Sequence, residues 1–145
     1  MQKLQDIDIT VRVEEAGRSN PPVNHSNAIP VMHEVLHSLK RLKERGVANT
    51  IDLKSIPFGP GDEEELLRHL GCGEVTIELQ SLGKSRICET LYPGVWLIDH
   101  YNAAGERVAL SLEINRVPEI VKSQAEDISD AILRLEQQLN PDSSA

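Results

Sequence analysis

His33-Glu34-Val35-Leu36-His37 matches the pattern H-E-x-x-H. On a helix this spacing sets two imidazoles one turn apart, with a glutamate placed to act as general base beside a zinc ion. Zinc-dependent hydrolysis is therefore the first chemistry to weigh. A helical wheel puts Met32, Val35, Leu36 and Leu39 on one side and His33 and His37 beside Lys40 and Glu44 on the polar side. A catalytic zinc needs a cleft and a third protein ligand. The following "SLKRLKERG" lacks the glycine turn and third histidine of the longer metzincin motif. His25, His69 and His100 show no ligand spacing. The expectation is a solvated histidine pair, with zinc hydrolysis or metal binding through His33, Glu34 and His37 as the alternative.

Cys72 and Cys88 are the two cysteines. Across a dimer they could offer four thiolates to a metal or an iron–sulfur cluster. No C-x-x-C occurs, so Cys88 reads as a small buried side chain on a strand and Cys72 as the more accessible thiol. "PFGPGD" is neither a dinucleotide fingerprint nor a P-loop, and no G-x-S-x-G elbow occurs. Glu89, Asp99, His100 and Glu113 carry no spacing that pairs them. The expectation is a protein that is not an enzyme and that holds no cofactor or resident metal.

The aromatics pose a different question. The single tryptophan, Trp96, and both tyrosines, Tyr92 and Tyr101, fall in "LYPGVWLIDHY". Pro93-Gly94 suits the centre of a type II turn, in which glycine supplies the positive φ. Beyond it, alternation separates Val95 and Leu97 from Trp96, Ile98 and His100. If Val95 and Leu97 face the helices, Trp96 and Ile98 form an apolar patch on the other face. Pro93, Gly94, Trp96 and Ile98 are then the candidate protein-binding residues. If Trp96 turns inward, it is core, the usual fate of a lone tryptophan in a small domain.

These side chains need a scaffold, and the chain supplies one. Its 145 residues suit one domain able to bury a core without disulfides. The net charge of −8 argues against nucleic acid as partner. No run of about 18 apolar residues exists to span a membrane. "MQKLQDIDIT" has no apolar h-region, so a cytoplasmic location with reduced thiols is expected.

Ile7, Ile9, Val11 and Val13 alternate as a strand, and 14–27 reads as a mobile linker. "AIPVMHEVLHSLKRLKERG" reads as a helix with Pro30 in its first turn, Gly46 at its end and Met32, Val35, Leu36, Leu39 and Leu42 on its apolar face. Ile51 and Leu53 mark a short extended segment. A second short helix follows, with Asp62 as cap, Glu65 completing a capping box and Gly71 closing it. Four strands then follow as an antiparallel meander, including Val108, Leu110, Leu112 and Ile114 on one face. A last helix from Pro118 carries Val121, Ala125, Ile128, Ile132, Leu135 and Leu139 in a stripe. That stripe could form a coiled-coil seam but covers under about three heptads, so the helix is expected to lie across the sheet. The fold class is α+β: a mostly antiparallel sheet, a four-strand meander plus the N-terminal strand, with about three helices packed on one face. The expected organisation is strand and linker over 1–28, one domain over 29–140 and a disordered tail over 141–145.

Four blocks read in order carry a resemblance. They are I-D-L with the following proline (51–57), L-G-x-G-E-V (70–75), E-T-x-x-P-G-V-W (89–96) and E-I-x-x-V-P (113–118). Over about 51–128 the chain resembles the C-terminal region of the HupH/HyaF/HoxQ family of hydrogenase expression and formation proteins. The resemblance implies an accessory protein, a chaperone or scaffold in maturation of a nickel–iron uptake hydrogenase. It implies as partners the iron–sulfur small subunit precursor, held before export, and a HyaE/HupG/HoxO-type accessory protein. It also implies longer relatives that carry this region twice, an arrangement that a homodimer of this chain would restore. Cys72 stands at the variable place of L-G-x-G-E, and the family pattern offers no catalytic residue to carry over.

Overall fold

A computed structural model describes residues 26–81 and 83–144. The expected strand over 7–13 and most of the linker lie outside the described residues. The described residues form three α-helices and five strands, in the order α1 Ala28–Arg45, β1 Asn49–Asp52, α2 Asp62–Leu70, β2 Thr76–Gln80, β3 Lys84–Glu89, β4 Val95–Tyr101, β5 Arg107–Ile114 and α3 Ala125–Leu139. Short 3-10 turns occupy Leu53–Ser55, Glu119–Val121 and Pro141–Ser144, the last falling where a disordered tail was expected. None of the described helices is long and apolar enough to cross a membrane.

The strands form one antiparallel sheet in the order β1-β5-β4-β3-β2. The α+β class and the four-strand meander are as expected, and the fifth strand described is the short segment at Ile51. Ile51 pairs with Leu112, and Leu112 with Leu97 across β5. That register puts Ile51, Val95, Leu97, Leu110, Leu112 and Ile114 on one face, against α1 and α2. Burial of that many aliphatic side chains, each contributing about 1.5–3 kcal/mol, is the main stabilising term. Val108 departs from the pattern: it stands exposed near the start of β5, beside the irregularity at His100 and Tyr101.

Helix α1 ends as its sequence predicts. Gly46 adopts φ 69° and donates its N–H to the Leu42 carbonyl at 2.9 Å. Its buried stripe is Ala28, Val31, Val35, Ser38 and Leu42, a step of three and four that rotates the helix away from the expected face. Leu36 is left exposed, and Met32 and Leu39 sit at the core margin. Ser38 is tolerated inside because its hydroxyl accepts from Asn49 Nδ2 at 2.8 Å.

The capping box expected at Asp62 and Glu65 does not form. Gly61 is the N-cap of α2, and Asp62 is its first residue. The Asp62 carboxylate turns back to accept the N–H of Gly59 at 2.8 Å and of Asn27 at 3.3 Å. Asn27 is the N-cap residue of α1, and its side-chain amide also donates to the Pro57 carbonyl at 2.7 Å. One buried carboxylate thus ties the starts of both helices together, while keeping the favourable place at the positive end of α2. At the far end of the sheet Arg107 forks onto both oxygens of Asp99 at 2.8 and 2.9 Å and reaches Glu63 of α2 at 3.3 Å. These hydrogen bonds to Asp99 hold the guanidinium above its ordinary pKa.

The larger departure is α3. It does not lie across the sheet, and no residue of α3 is buried. The helices packed on the sheet face are α1 and α2. The reason is the route of the chain: the Glu119–Val121 turn places Val121 on the opposite face of the sheet, and α3 leaves from there. Asp62→Ala is expected to lower the unfolding free energy by about 1.5–3 kcal/mol, since it strands two backbone donors that faced a charged acceptor. Urea titration followed by circular dichroism measures it, and a change under about 0.5 kcal/mol would contradict the role given to Asp62.

Candidate functional site

Three of the four blocks singled out in the sequence meet at one end of the sheet. Gly73 donates its N–H to the Glu89 carbonyl at 2.7 Å, and Glu89 donates to Val75 at 2.8 Å. A Cβ at Gly73 would come 2.5 Å from the Thr90 carbonyl oxygen, so only glycine lets the two chains approach. Leu91 donates to the Leu70 carbonyl at 2.8 Å. The turn itself is type II: Val95 N–H bonds Tyr92 O at 2.9 Å, and Gly94 has φ 95°. Buried Thr90 braces it, its hydroxyl lying 3.1 Å from the Tyr92 N–H and 3.2 Å from its carbonyl.

The last block closes on this turn. Asn115 N–H donates to Gly94 O at 2.9 Å, and the Asn115 carbonyl accepts the Trp96 indole N–H at 3.0 Å. Asn115 Nδ2 donates to Glu113 Oε2 at 2.9 Å, and the same oxygen accepts Glu119 N–H at 3.0 Å. Glu113 and Asn115 are both buried. Their network fastens the Glu119–Val121 turn over the outer face of the sheet.

Under that turn lies a second, smaller core of Ile87, Trp96 and Ile98, flanked by Ile77, Leu79 and Val121. Both alternatives for Trp96 are therefore partly realised. Val95 and Leu97 do face the helices, and Trp96 and Ile98 do lie on the opposite face. Yet Trp96 is only 7% and Ile98 only 5% exposed. Of the four candidate binding residues, Pro93 is exposed, Gly94 is half-buried, and Trp96 and Ile98 are enclosed. The apolar groups that do reach solvent at this end are their neighbours: Leu91, Tyr92, Val117 and Ile120.

The reactive candidates sit on different elements. His33 and His37 stand exposed on α1 beside Glu34. Cys72 is exposed in the loop after α2, and Cys88 is half-buried on β3; both are free thiols. Arg86 is a neighbour of Cys88, whose hydrogen bond is the first cause holding its guanidinium above the ordinary value. Among the described residues no group of three or more His, Cys, Asp or Glu side chains is placed to hold a metal ion.

One surface feature went unread in the sequence. Because α1 buries Val31, Val35 and Leu42, its other apolar residues Ile29, Met32, Leu36 and Leu39 line an open cleft of about 390 Å³ with His33, His69 and Tyr92. The signal was present as a surplus: α1 has more apolar positions than one stripe can bury.

This end of the sheet defines the class: an α+β domain in which three sequence blocks interlock as architecture. The chain belongs to the family described as HupH hydrogenase expression protein, C-terminal conserved region, whose pattern matches residues 25–141. It is similar to the hydrogenase expression/formation protein HoxQ of Azotobacter vinelandii, 35% identical over 111 residues that cover 75% of this chain and 39% of that protein. It is also similar to the hydrogenase-1 operon protein HyaF of Escherichia coli K12, 28% identical over 116 residues, 79% of this chain and 40% of HyaF. The chain thus spans about two fifths of the length of these curated relatives. Among solved structures it resembles the hydrogenase expression protein HupH from Thiobacillus denitrificans, with a TM-score of 0.77 and 41% identity, covering 81% of this chain and 98% of that one.

Trp96→Ala is expected to cost about 3–5 kcal/mol, because it empties the outer core. A melting temperature within a degree or two of wild type would contradict that. The clasp also predicts a pH response. Glu119 is held below the usual carboxylate range, first by its hydrogen bond with Lys122 and then by Asn115. A depressed carboxylate stabilises the folded state above its unfolded pKa and loses that contribution as pH falls through the folded value. Acidification through that lowered value should therefore weaken the Glu119–Lys122 and Glu119–Asn115 contacts at the surface of the turn, with a small loss of stability read by thermal melting. Glu119→Gln should remove that pH-dependent part of the stability, and a pH profile of the melting temperature unchanged by the substitution would contradict it.

Proposed function

We propose that this chain is an accessory protein in maturation of a nickel–iron uptake hydrogenase, acting by binding rather than by catalysis. Its client on this reading is the iron–sulfur small subunit precursor, held in the cytoplasm before export with a HyaE/HupG/HoxO-type protein as co-factor in the assembly. Membership of the family, whose relatives bear hydrogenase expression and formation names, is the observation that carries the proposal. The architecture agrees with it. A holding protein needs a rigid display of apolar groups, and the interlocked end of the sheet presents Leu91, Val117 and Ile120 at 61, 43 and 50% exposure. The acidic surface favours a basic client segment, chiefly by speeding encounter and making it sensitive to salt.

The test uses purified partners. The small subunit precursor is titrated against the chain, and against Leu91→Ser/Ile120→Ser. Both positions are exposed, so the double variant should melt within about 0.5 kcal/mol of wild type for each site. Binding should weaken by ten-fold or more if these groups anchor the client. Failure of the wild-type chain to bind the precursor, with and without the second accessory protein, overturns the proposal. Unchanged binding by the double variant removes this end of the sheet as the docking surface.

A further inference from the structure

Among the described residues, the chain beyond Asn115 is held to the sheet at few points. Asn115 itself is buried and fixed, its N–H on Gly94 O and its Oδ1 accepting Arg116 N–H at 2.8 Å. Arg116 and Val117 are exposed, Pro118 is buried, Glu119 and Ile120 are exposed, and Val121 is half-buried against the outer core. No backbone hydrogen bond joins 116–122 to the sheet among the described residues. The turn bonds within itself, Val121 N–H to Pro118 O and Lys122 N–H to Glu119 O, both at 3.1 Å. Its polar hold from below is Glu113 Oε2, which accepts Glu119 N–H at 3.0 Å, with Asn115 Nδ2 reaching Glu119 Oε2 at 3.3 Å. Helix α3, which follows, adds no buried residue.

We infer that residues 117–122 are a hinged strap, pivoting at Arg116, that opens well short of global unfolding, and that Glu113 is the catch that keeps it closed. Local opening is a property of segments held by few buried apolar contacts and no ladder. The strands beneath differ in this respect: β4 and β5 pair along their whole length, from Val95 with Ile114 to Tyr101 with Arg107. The strap has Pro118, Val121 and one charged acceptor. A hydrogen bond to a carboxylate is about twice as strong as a neutral one, so a single oxygen carries much of the closed state.

Opening changes the surface assigned above to the client. Val117 and Ile120 ride on the strap, whereas Leu91 stands before the Pro93-Gly94 turn. Lifting the strap separates these apolar groups. On the function proposed above, on which this step rests, the closed strap is therefore the binding state. Glu113 is a positioning residue, buried beneath the strap and acting on the rim through Glu119. A client that binds only the closed form shifts the population toward it.

Hydrogen exchange of the wild-type chain alone reads the opening. The amides of Glu119 and Val121 are expected to exchange at least about 100-fold faster than the most protected amides of β4 and β5. Exchange at the rate of those strand amides overturns the inference, whatever the variants do. Glu113→Ala should raise acrylamide quenching of Trp96 at least about two-fold with an unchanged circular dichroism spectrum, because Val121 lifts with the strap. Glu113→Gln keeps an acceptor oxygen and should lie between alanine and wild type. Quenching in Glu113→Ala equal to wild type also overturns the inference. With the small subunit precursor, Glu113→Ala should bind at least about ten-fold more weakly, and bound precursor should slow exchange at Glu119 of the wild type. Binding that ignores Glu113→Ala overturns the strap's control of the rim. Failure of the wild type to bind the precursor counts against the proposed function instead, since exchange and quenching use the chain alone.

Discussion

A sheet with helices on one face must do something with the other. In this chain the second face holds Ile87, Trp96 and Ile98, and none of the described helices is buried against it. It is closed by one 3-10 turn, and that turn stays in place through Glu113 and Asn115, which convert two buried polar groups into a clasp. Burial of a carboxylate and an amide is unfavourable unless their hydrogen bonds are made. Here they are made to Glu119 N–H, to each other and, through the Asn115 backbone, to Trp96 and Gly94. The position of the turn, the exit of the chain and the exposure of α3 all follow from that closure.

The interlocking explains why the sequence blocks are spaced as they are. The glycine of one block admits the backbone of the next, and the turn of that block receives the asparagine that ends β5. Such residues read as a signature of the family, yet their buried atoms are occupied in holding the fold. On the proposed function, recognition is left to the rim they support: Leu91, Val117 and Ile120 at the sheet end, with the α1 cleft beside Tyr92. Scaffold and surface are separate sets of residues a few positions apart.

The His33–His37 pair shows the same separation from the other side. Its spacing fits a metal motif, but the helix that carries it turns both imidazoles to solvent while Val31 and Val35 go inward. A motif read along one helix says nothing about a third ligand, because that ligand must come from another element. The described residues bring none into such a cluster.

The sequence by itself determined the α+β class, the meander, the end of α1 at Gly46 and the type II turn at Pro93-Gly94. Each rests on local physics: period-two or helical patterning, and the positive φ that glycine accepts. Only the tertiary structure decided the rest. Trp96 lies on the face away from the helices and is still buried, an outcome alternation cannot express because the cover comes from Val121, twenty-five residues later. Asp62 serves α1 rather than capping its own helix, because the N–H of Asn27 arrives from another segment. Helix α3 has the stripe of a packed helix but buries none of it among the described residues, because the clasp directs the chain off the opposite face. A stripe records that a helix needs a partner; where the chain leaves the sheet determines which surface that helix can reach.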